Sequence, residues 1–187
     1  MRTLVFVMRR ADAERRPLIA RTLTYGLLVS HGIRVDARLV FLIIEDDNKA
    51  RRIVMTGAKM RHLRADEGTA WGIFRRALRR LGRAHWGVHV SLVDDAASAL
   101  RELLDGADRV FVIGRGGIPL DRAEVAGNHI ALIFNVPPCF IPAGSSPPSA
   151  AQASLGCDPP SLPFAVAVAN WILDWRWGHA EVRRGAP

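Results

Sequence analysis

The run Ala37-Arg38-Leu39-Val40-Phe41-Leu42-Ile43-Ile44 constrains this chain most. It carries one charge in eight residues and has no polar face to offer water, so it reads as a central strand buried on both sides. A strand covered on both faces needs partners above and below it, and the rest of the sequence supplies helices. Leu4 to Met8 is a short β-branched and aromatic run, a first strand. Arg9 to Arg16 reads as a charged loop. Pro17 then opens a helix over Leu18 to Val29, with Leu18, Ile19, Leu23, Leu27 and Leu28 at helical spacing and Gly32 as its stop.

Glu45 to Asn48 reads as a turn that returns the chain antiparallel through a strand over Arg52 to Thr56. Asp66 caps a helix over Glu67 to Leu81, whose apolar face is Ala70, Ile73, Phe74, Ala77, Leu78 and Leu81. Val88 to Val93 is strand-like, and Asp94 or Asp95 caps a helix that runs to Leu104 and ends near Gly106. Arg109 to Ile113 and Ile130 to Phe134 are two more strands. Pro137 to Pro163 is rich in Pro, Gly, Ser and Ala and reads as a long irregular loop, which in a compact domain signals function or disorder. Phe164 to Trp177 is an apolar helix, and Arg183 to Pro187 a frayed tail. Alternating strands and helices predict an α/β fold with a mainly parallel sheet, one domain over residues 1–187 without internal repeats.

Charge raises the question of partners. Lys plus Arg number 26 against 18 Asp plus Glu, a net +8, and almost all of the positive charge is arginine. Such an excess fits a polyanion partner, and it equally fits an arginine-favouring codon usage. No run is long and apolar enough to cross a membrane, and Leu4 to Met8 is too short for the core of a signal peptide. The cytoplasm is therefore the expected compartment, where Cys139 and Cys157 need not be bridged. No Cys/His cluster has metal-ligand spacing, so no metal is expected.

Several local features carry two readings. Gly114-Arg115-Gly116-Gly117 after a strand is either a phosphate-binding turn or a plain turn that uses glycine at positive φ. Arg34 and Asp36, where a helix passes into a strand, are either a phosphate ligand with its proton acceptor or a surface salt bridge. Arg75, Arg76, Arg79 and Arg80 share a helix face that either tracks a nucleic-acid backbone or is simply solvated. Trp171 and Trp175, four apart, are either packing or an interface stripe.

The stretch Ser30-His31-Gly32-Ile33-Arg34-Val35-Asp36, then Gly57, then Leu63-Arg64-Ala65-Asp66-Glu67, resembles the archaeal tRNA pseudouridine-54 N1-methyltransferases of the SPOUT superfamily. Those proteins carry Ser-His-x-Ile-Arg-x-Asp, an apolar strand, and Pro-Asp-Glu-Arg opening a helix. Ser154-Leu155 through Leu173-Asp174 fits the register of the family's last loop and helix, so the resemblance spans nearly the whole chain. It implies a SPOUT-like α/β fold with a C-terminal trefoil knot at about 110–177, an exception to the rule that chains do not thread. It also implies a homodimer that binds S-adenosylmethionine in the knot and methylates N1 of a pseudouridine in tRNA. The implied alternatives are a methyltransferase of the same fold acting on a small nucleoside or metabolite, and a non-catalytic RNA-binding relative.

By the same resemblance Asp36 and Arg34 are the catalytic pair, and Arg15, Arg21, His31 and Arg34 bind substrate. Ile133, Phe134, Ser154, Leu155, Gly156 and Ala165 then bind the cofactor, mostly through backbone groups. The chain departs from the family pattern at Pro17, Gly68, Pro163 and Ala165, and Phe134 stands where the family has glycine. A side chain at that place is expected to block or reshape the adenosine pocket.

Overall fold

The computed structural model describes residues 1–187 except His31, 46–48, Ala126, 137–149, 178–181 and 185–187. Its centre is β1 (Arg2–Arg9), which lies parallel to β4 (Ala37–Ile44) on one side and to β9 (Ile130–Val136) on the other. β8 (Arg109–Pro119) and β10 (Ala150–Ser154) extend the parallel region beyond β9. On the far side β5 (Ala50–Thr56), β7 (Val88–Val93) and β6 (Gly82–His85) are antiparallel additions, giving the order β10-β8-β9-β1-β4-β5-β7-β6.

The alternation of β1 and β4 explains why helices cover both faces. Leu4, Phe6, Met8, Leu39, Phe41 and Ile43 point to one side. There they meet α2 (Arg16–Leu27), α3 (Glu67–Arg79) and α5 (Leu162–Trp177). Val5, Val7, Val40 and Leu42 point to the other side, against α4 (Ala96–Leu104). Strand side chains alternate across the pleat, so two apolar faces require two helical layers. Asp66 and Asp95 cap α3 and α4, their carboxylates accepting from the amides of Thr69 and of Ala97 and Ser98. Among the described residues no helix is long and apolar enough to cross a membrane.

The structure departs from the sequence reading in five places. Arg10–Ala13 forms one helical turn (α1) inside the expected loop, held by the Arg10–Glu14 pair at 2.8 Å. α2 ends at Leu27, before Gly32, because Leu28–Val29 (β2) and Gly32–Arg34 (β3) pair as a small hairpin. Val182–Arg184 (β11) is no frayed tail, for its backbone pairs antiparallel with β3. β6 was not foreseen; with only four residues it lacks a readable period.

The fifth departure matters for function. The expected loop from Pro137 contains β10, whose small residues Ala150, Ala151 and Ala153 hide its strand character. Its partner β8 runs on through Gly114-Arg115-Gly116-Gly117, so that motif is strand rather than turn. Gly116 and Gly117 lie at φ +84° and +82°, and a Cβ on Gly117 would stand 2.3 Å from the Gln152 carbonyl oxygen. Glycine is required there because β8 and β10 pass so closely where their register shifts. The knot expected at about 110–177 includes 137–149, which lie outside the described residues.

Candidate functional site

Two clusters stand at opposite ends of the parallel strands. The first is a cavity of about 980 Å³ at the carboxyl ends of β9 and β10, against the middle of β8. Ligands of open α/β sheets bind at carboxyl ends, because there the connecting loops diverge. Ile113, Phe134, Leu155, Leu162 and Ala165 give it apolar walls, and Gly114, Gly116 and Gly156 line it with bare backbone. Gly156 lies at φ +73° with nothing within 4 Å of where a Cβ would be, so that backbone faces open space. Among the described residues Leu155 and Gly156 make no hydrogen bond from backbone to backbone.

Five of the six expected cofactor residues, Phe134, Ser154, Leu155, Gly156 and Ala165, line this one cavity. Ile133 does not; it is fully buried on the opposite face of the sheet, against α4. Phe134, expected to block or reshape the pocket, lines the cavity. Its ring is 3% exposed and stacks on Phe6 at 5.5 Å, so it belongs to the core and forms the cavity floor without filling it. The sequence reading missed Ile113, Gly114, Arg115 and Gly116 as cavity residues, although the glycine pattern had flagged the place. Arg115 pairs with Asp158 at 2.7 Å across the rim; both are well exposed, so the pair contributes little stability.

The second cluster is ionic and sits at the amino ends of β1 and β4. Arg34, 5% exposed, donates Nη1 and Nη2 to the two carboxylate oxygens of Asp174, each at 2.7 Å. Arg2, 1% exposed, donates Nη1 to Asp174 Oδ1 at 2.7 Å and Nη2 to Asp36 Oδ2 at 2.8 Å. Asn170 accepts from Arg2 at 3.2 Å and donates to the Tyr25 carbonyl at 2.9 Å, tying α5 to the end of α2. Burial works against the charge on Asp174, but the hydrogen bonds and charge of Arg34, seconded by Arg2, outweigh it and hold its pKa below the usual carboxylate value. Among the described residues two buried side-chain polar atoms lack partners, Arg34 Nε and Asp36 Oδ1.

This geometry bears on the catalytic pair read from the sequence. Arg34 is neither a surface salt bridge nor an open phosphate fork, since both terminal nitrogens are committed to Asp174. Asp174 was not singled out, because a bidentate partner 140 residues away leaves no local signal. α5 carries Ala165 at the cavity and Asp174 in the ionic cluster, nine residues apart. That is about 13 Å along a helix at 1.5 Å per residue. A proton acceptor must stand roughly 3 Å from its proton, so Asp36 and the cavity of the same chain do not meet on one substrate atom.

The remaining candidates are dispersed. Arg15 is exposed and pairs loosely with Asp12 at 3.5 Å, and Arg21 pairs with Glu67 at 2.9 Å. His31 lies outside the described residues. Arg75, Arg76 and Arg79 are exposed and join no ion pair among the described residues. Trp171 and Trp175 are 66% and 68% exposed and stack at 6.4 Å and 7°, a solvent-facing stripe rather than core. No group of three or more potential metal ligands occurs among the described residues.

Comparison with known proteins gives consistent results. No protein-family model matches the chain. It is 24% identical over 173 residues to the tRNA (pseudouridine(54)-N(1))-methyltransferase of Methanocella arvoryzae, covering 88% of this chain and 87% of the relative. It is 39% identical over 127 residues to the protein of the same name from Methanopyrus kandleri, covering 62% of this chain and 60% of that relative. Among solved structures it resembles Archaeoglobus fulgidus Nep1 bound to S-adenosylhomocysteine, with a TM-score of 0.63 at 13% identity over 92% of this chain and 97% of the other.

Proposed function

We propose that this chain, a SPOUT-fold protein and a divergent relative of the tRNA pseudouridine-54 N1-methyltransferases, transfers a methyl group from S-adenosylmethionine to N1 of a pseudouridine in tRNA. The observation that carries the reading is the convergence of Phe134, Ser154, Leu155, Gly156 and Ala165 on one cavity at the carboxyl ends of the parallel strands. These residues suit the cofactor: apolar walls for a flat base, and backbone amides at Leu155 and Gly156 for polar edges. Bound there, S-adenosylmethionine supplies a methyl group on a cationic sulfur.

The chain's own residues then bind, orient and exclude water. Ile113, Phe134, Leu162 and Ala165 would hold the cofactor between apolar walls that exclude solvent, and the nucleophile would have to approach in line with the bond that breaks. N1 loses a proton as it reacts, and we assign that proton to Asp36, whose side chain is 18% exposed beside Arg2. The separation along α5 requires that this carboxylate come from a second subunit. We therefore assign a homodimer, with exposed Trp171 and Trp175 on α5 as its contact and Arg34 positioning α5 through Asp174. Arg15 and Arg21, exposed on the α1–α2 side, are the assigned phosphate contacts.

The deciding test is calorimetric titration with S-adenosylhomocysteine, followed by transfer of labelled methyl from S-adenosylmethionine to a tRNA transcript containing pseudouridine. Heat and label in tRNA are expected. No heat at millimolar ligand would sink the proposal in favour of a non-catalytic relative. Label on free pseudouridine but not on tRNA would replace it with a nucleoside methyltransferase.

A further inference from the structure

We propose that a basic cleft on the antiparallel edge of the sheet, remote from the methyl-transfer cavity, is a second contact surface for the RNA backbone. The cleft encloses about 540 Å³, and its lining includes Lys59, Arg61, Arg83, His85, Trp86 and His89. Among the described residues no carboxylate lines it. None of the ion pairs among the described residues involves Lys59, Arg61 or Arg83, and all three are exposed. Arg2, Arg10, Arg21, Arg34, Arg51 and Arg52, by contrast, each face an acid.

The cleft is a built feature and not a scatter of surface cations. Gly87 turns the β6–β7 hairpin at φ +73°, and a Cβ there would stand 2.6 Å from the Met60 amide nitrogen. The hairpin is thus pressed against the segment 57–61, and the Thr56 amide donates to the Gly87 carbonyl at 2.8 Å. His85 Nε2 lies 3.0 Å from the Arg61 carbonyl oxygen and closes the same junction. Between the two pieces stands Trp86, 47% exposed, with the guanidinium of Arg83 at 4.1 Å and that of Arg61 at 4.7 Å from its ring.

One indole thus holds two like charges within about 9 Å of each other, inside the roughly 10 Å screening length of 0.1 M salt. Cation–π contact orients both forks but neutralises neither. A bound phosphodiester supplies the missing negative charge, and the exposed part of the Trp86 indole, 47% of the residue, is where a neighbouring unstacked base would make contact.

The location names the kind of substrate, and here the inference rests on the RNA-methyltransferase reading above. The cleft is carried by β5, β7 and β6, the cavity by β8, β9 and β10, at opposite edges of one sheet. From β8, the middle strand of the cavity, to β7, the middle strand of the cleft, five steps of roughly 4.8 Å span about 24 Å. A nucleoside cannot touch both places; a folded RNA such as tRNA can.

The test is fluorescence anisotropy of a labelled tRNA transcript titrated with full-length protein over a series of KCl concentrations. In Arg61→Gln/Arg83→Gln the slope of log affinity against log salt should fall by about 1.5, as two lost phosphate contacts require. Trp86→Ala should weaken binding roughly 5- to 100-fold with little change of slope. Both variants should leave S-adenosylhomocysteine titration and thermal unfolding as in the wild type, and raise KM for tRNA without changing kcat. Wild-type tRNA affinity and slope in both variants would overturn the inference, even if tRNA is methylated. So would a change of molecular mass by light scattering with RNA binding unaltered, which would make the cleft a contact between copies. Competition by polyglutamate as effective as unlabelled tRNA would overturn it in favour of an acidic protein partner. A protein that binds tRNA through these residues but gives no heat with S-adenosylhomocysteine would uphold the cleft and refute the methyltransferase.

Discussion

Arg34 and Asp174 meet fork to fork, with two hydrogen bonds of 2.7 Å between residues 140 apart in the chain. The pair fastens the β3 hairpin to the far end of α5, and Arg2 extends it to Asp36 at the start of β4. Its cations are buried, so its worth appears when one partner is removed.

Asp174→Asn leaves Arg2 and Arg34 without their shared counter-charge in a dry place. Unfolding in urea should show a loss of about 3–5 kcal/mol, the usual cost of breaking a buried pair. A loss near zero would mean that water reaches the cluster.

The same carboxylate gives stability a direction with pH. The pKa of Asp174 is lower in the folded protein, so its contribution is complete above the unfolded value of about 3.9 and is lost as pH falls through the lower folded value. Urea midpoints measured downward from pH 5 should drop in the wild type and drop less steeply in Asp174→Asn. Parallel curves would remove Asp174 from the account.

Gly57 lies under the Arg34 carbonyl so closely that a Cβ would stand 1.8 Å from that oxygen. Both are backbone positions, and a side chain cannot be accommodated without moving β3. Gly57→Ala should cost about 3 kcal/mol and lower Tm by roughly 6–12 °C for a chain of this size. A scanning calorimetry trace unchanged from wild type would show that β3 shifts freely.

Ala165 is 5% exposed and borders the cavity. Ala165→Leu adds three carbons at that wall and should weaken S-adenosylhomocysteine binding by at least roughly tenfold, with overpacking costing about 1–3 kcal/mol. Unchanged affinity by calorimetry would place the cofactor elsewhere.

The exposed stack of Trp171 on Trp175 is the assigned subunit contact. Trp171→Ser/Trp175→Ser should therefore be monomeric by light scattering at concentrations where the wild type is dimeric. Its fold should persist, because the buried side of α5 (Val166, Ala169, Leu173) is untouched. Equal masses would refute that contact.

Much of this molecule was legible locally. Ala37–Ile44 and Val88–Val93 are strands with the bounds their apolar patterns set, and Asp66 and Asp95 cap the helices that follow them. Period, capping and β-branching act over a few residues, so sequence carries them directly. Motif resemblance likewise placed Phe134, Ser154, Leu155, Gly156 and Ala165 together, and they share one cavity. What sequence could not determine is set by partners distant along the chain. β10 is a strand because β8 pairs with it, and Phe134 leaves the cavity open because Phe6 receives its ring in the core. Asp174, unremarkable in its own helix, neutralises two arginines from other elements, and α5 holds it some 13 Å from the cavity. Charge pairing and close approach are properties of distance in space, and only the tertiary fold fixes those distances.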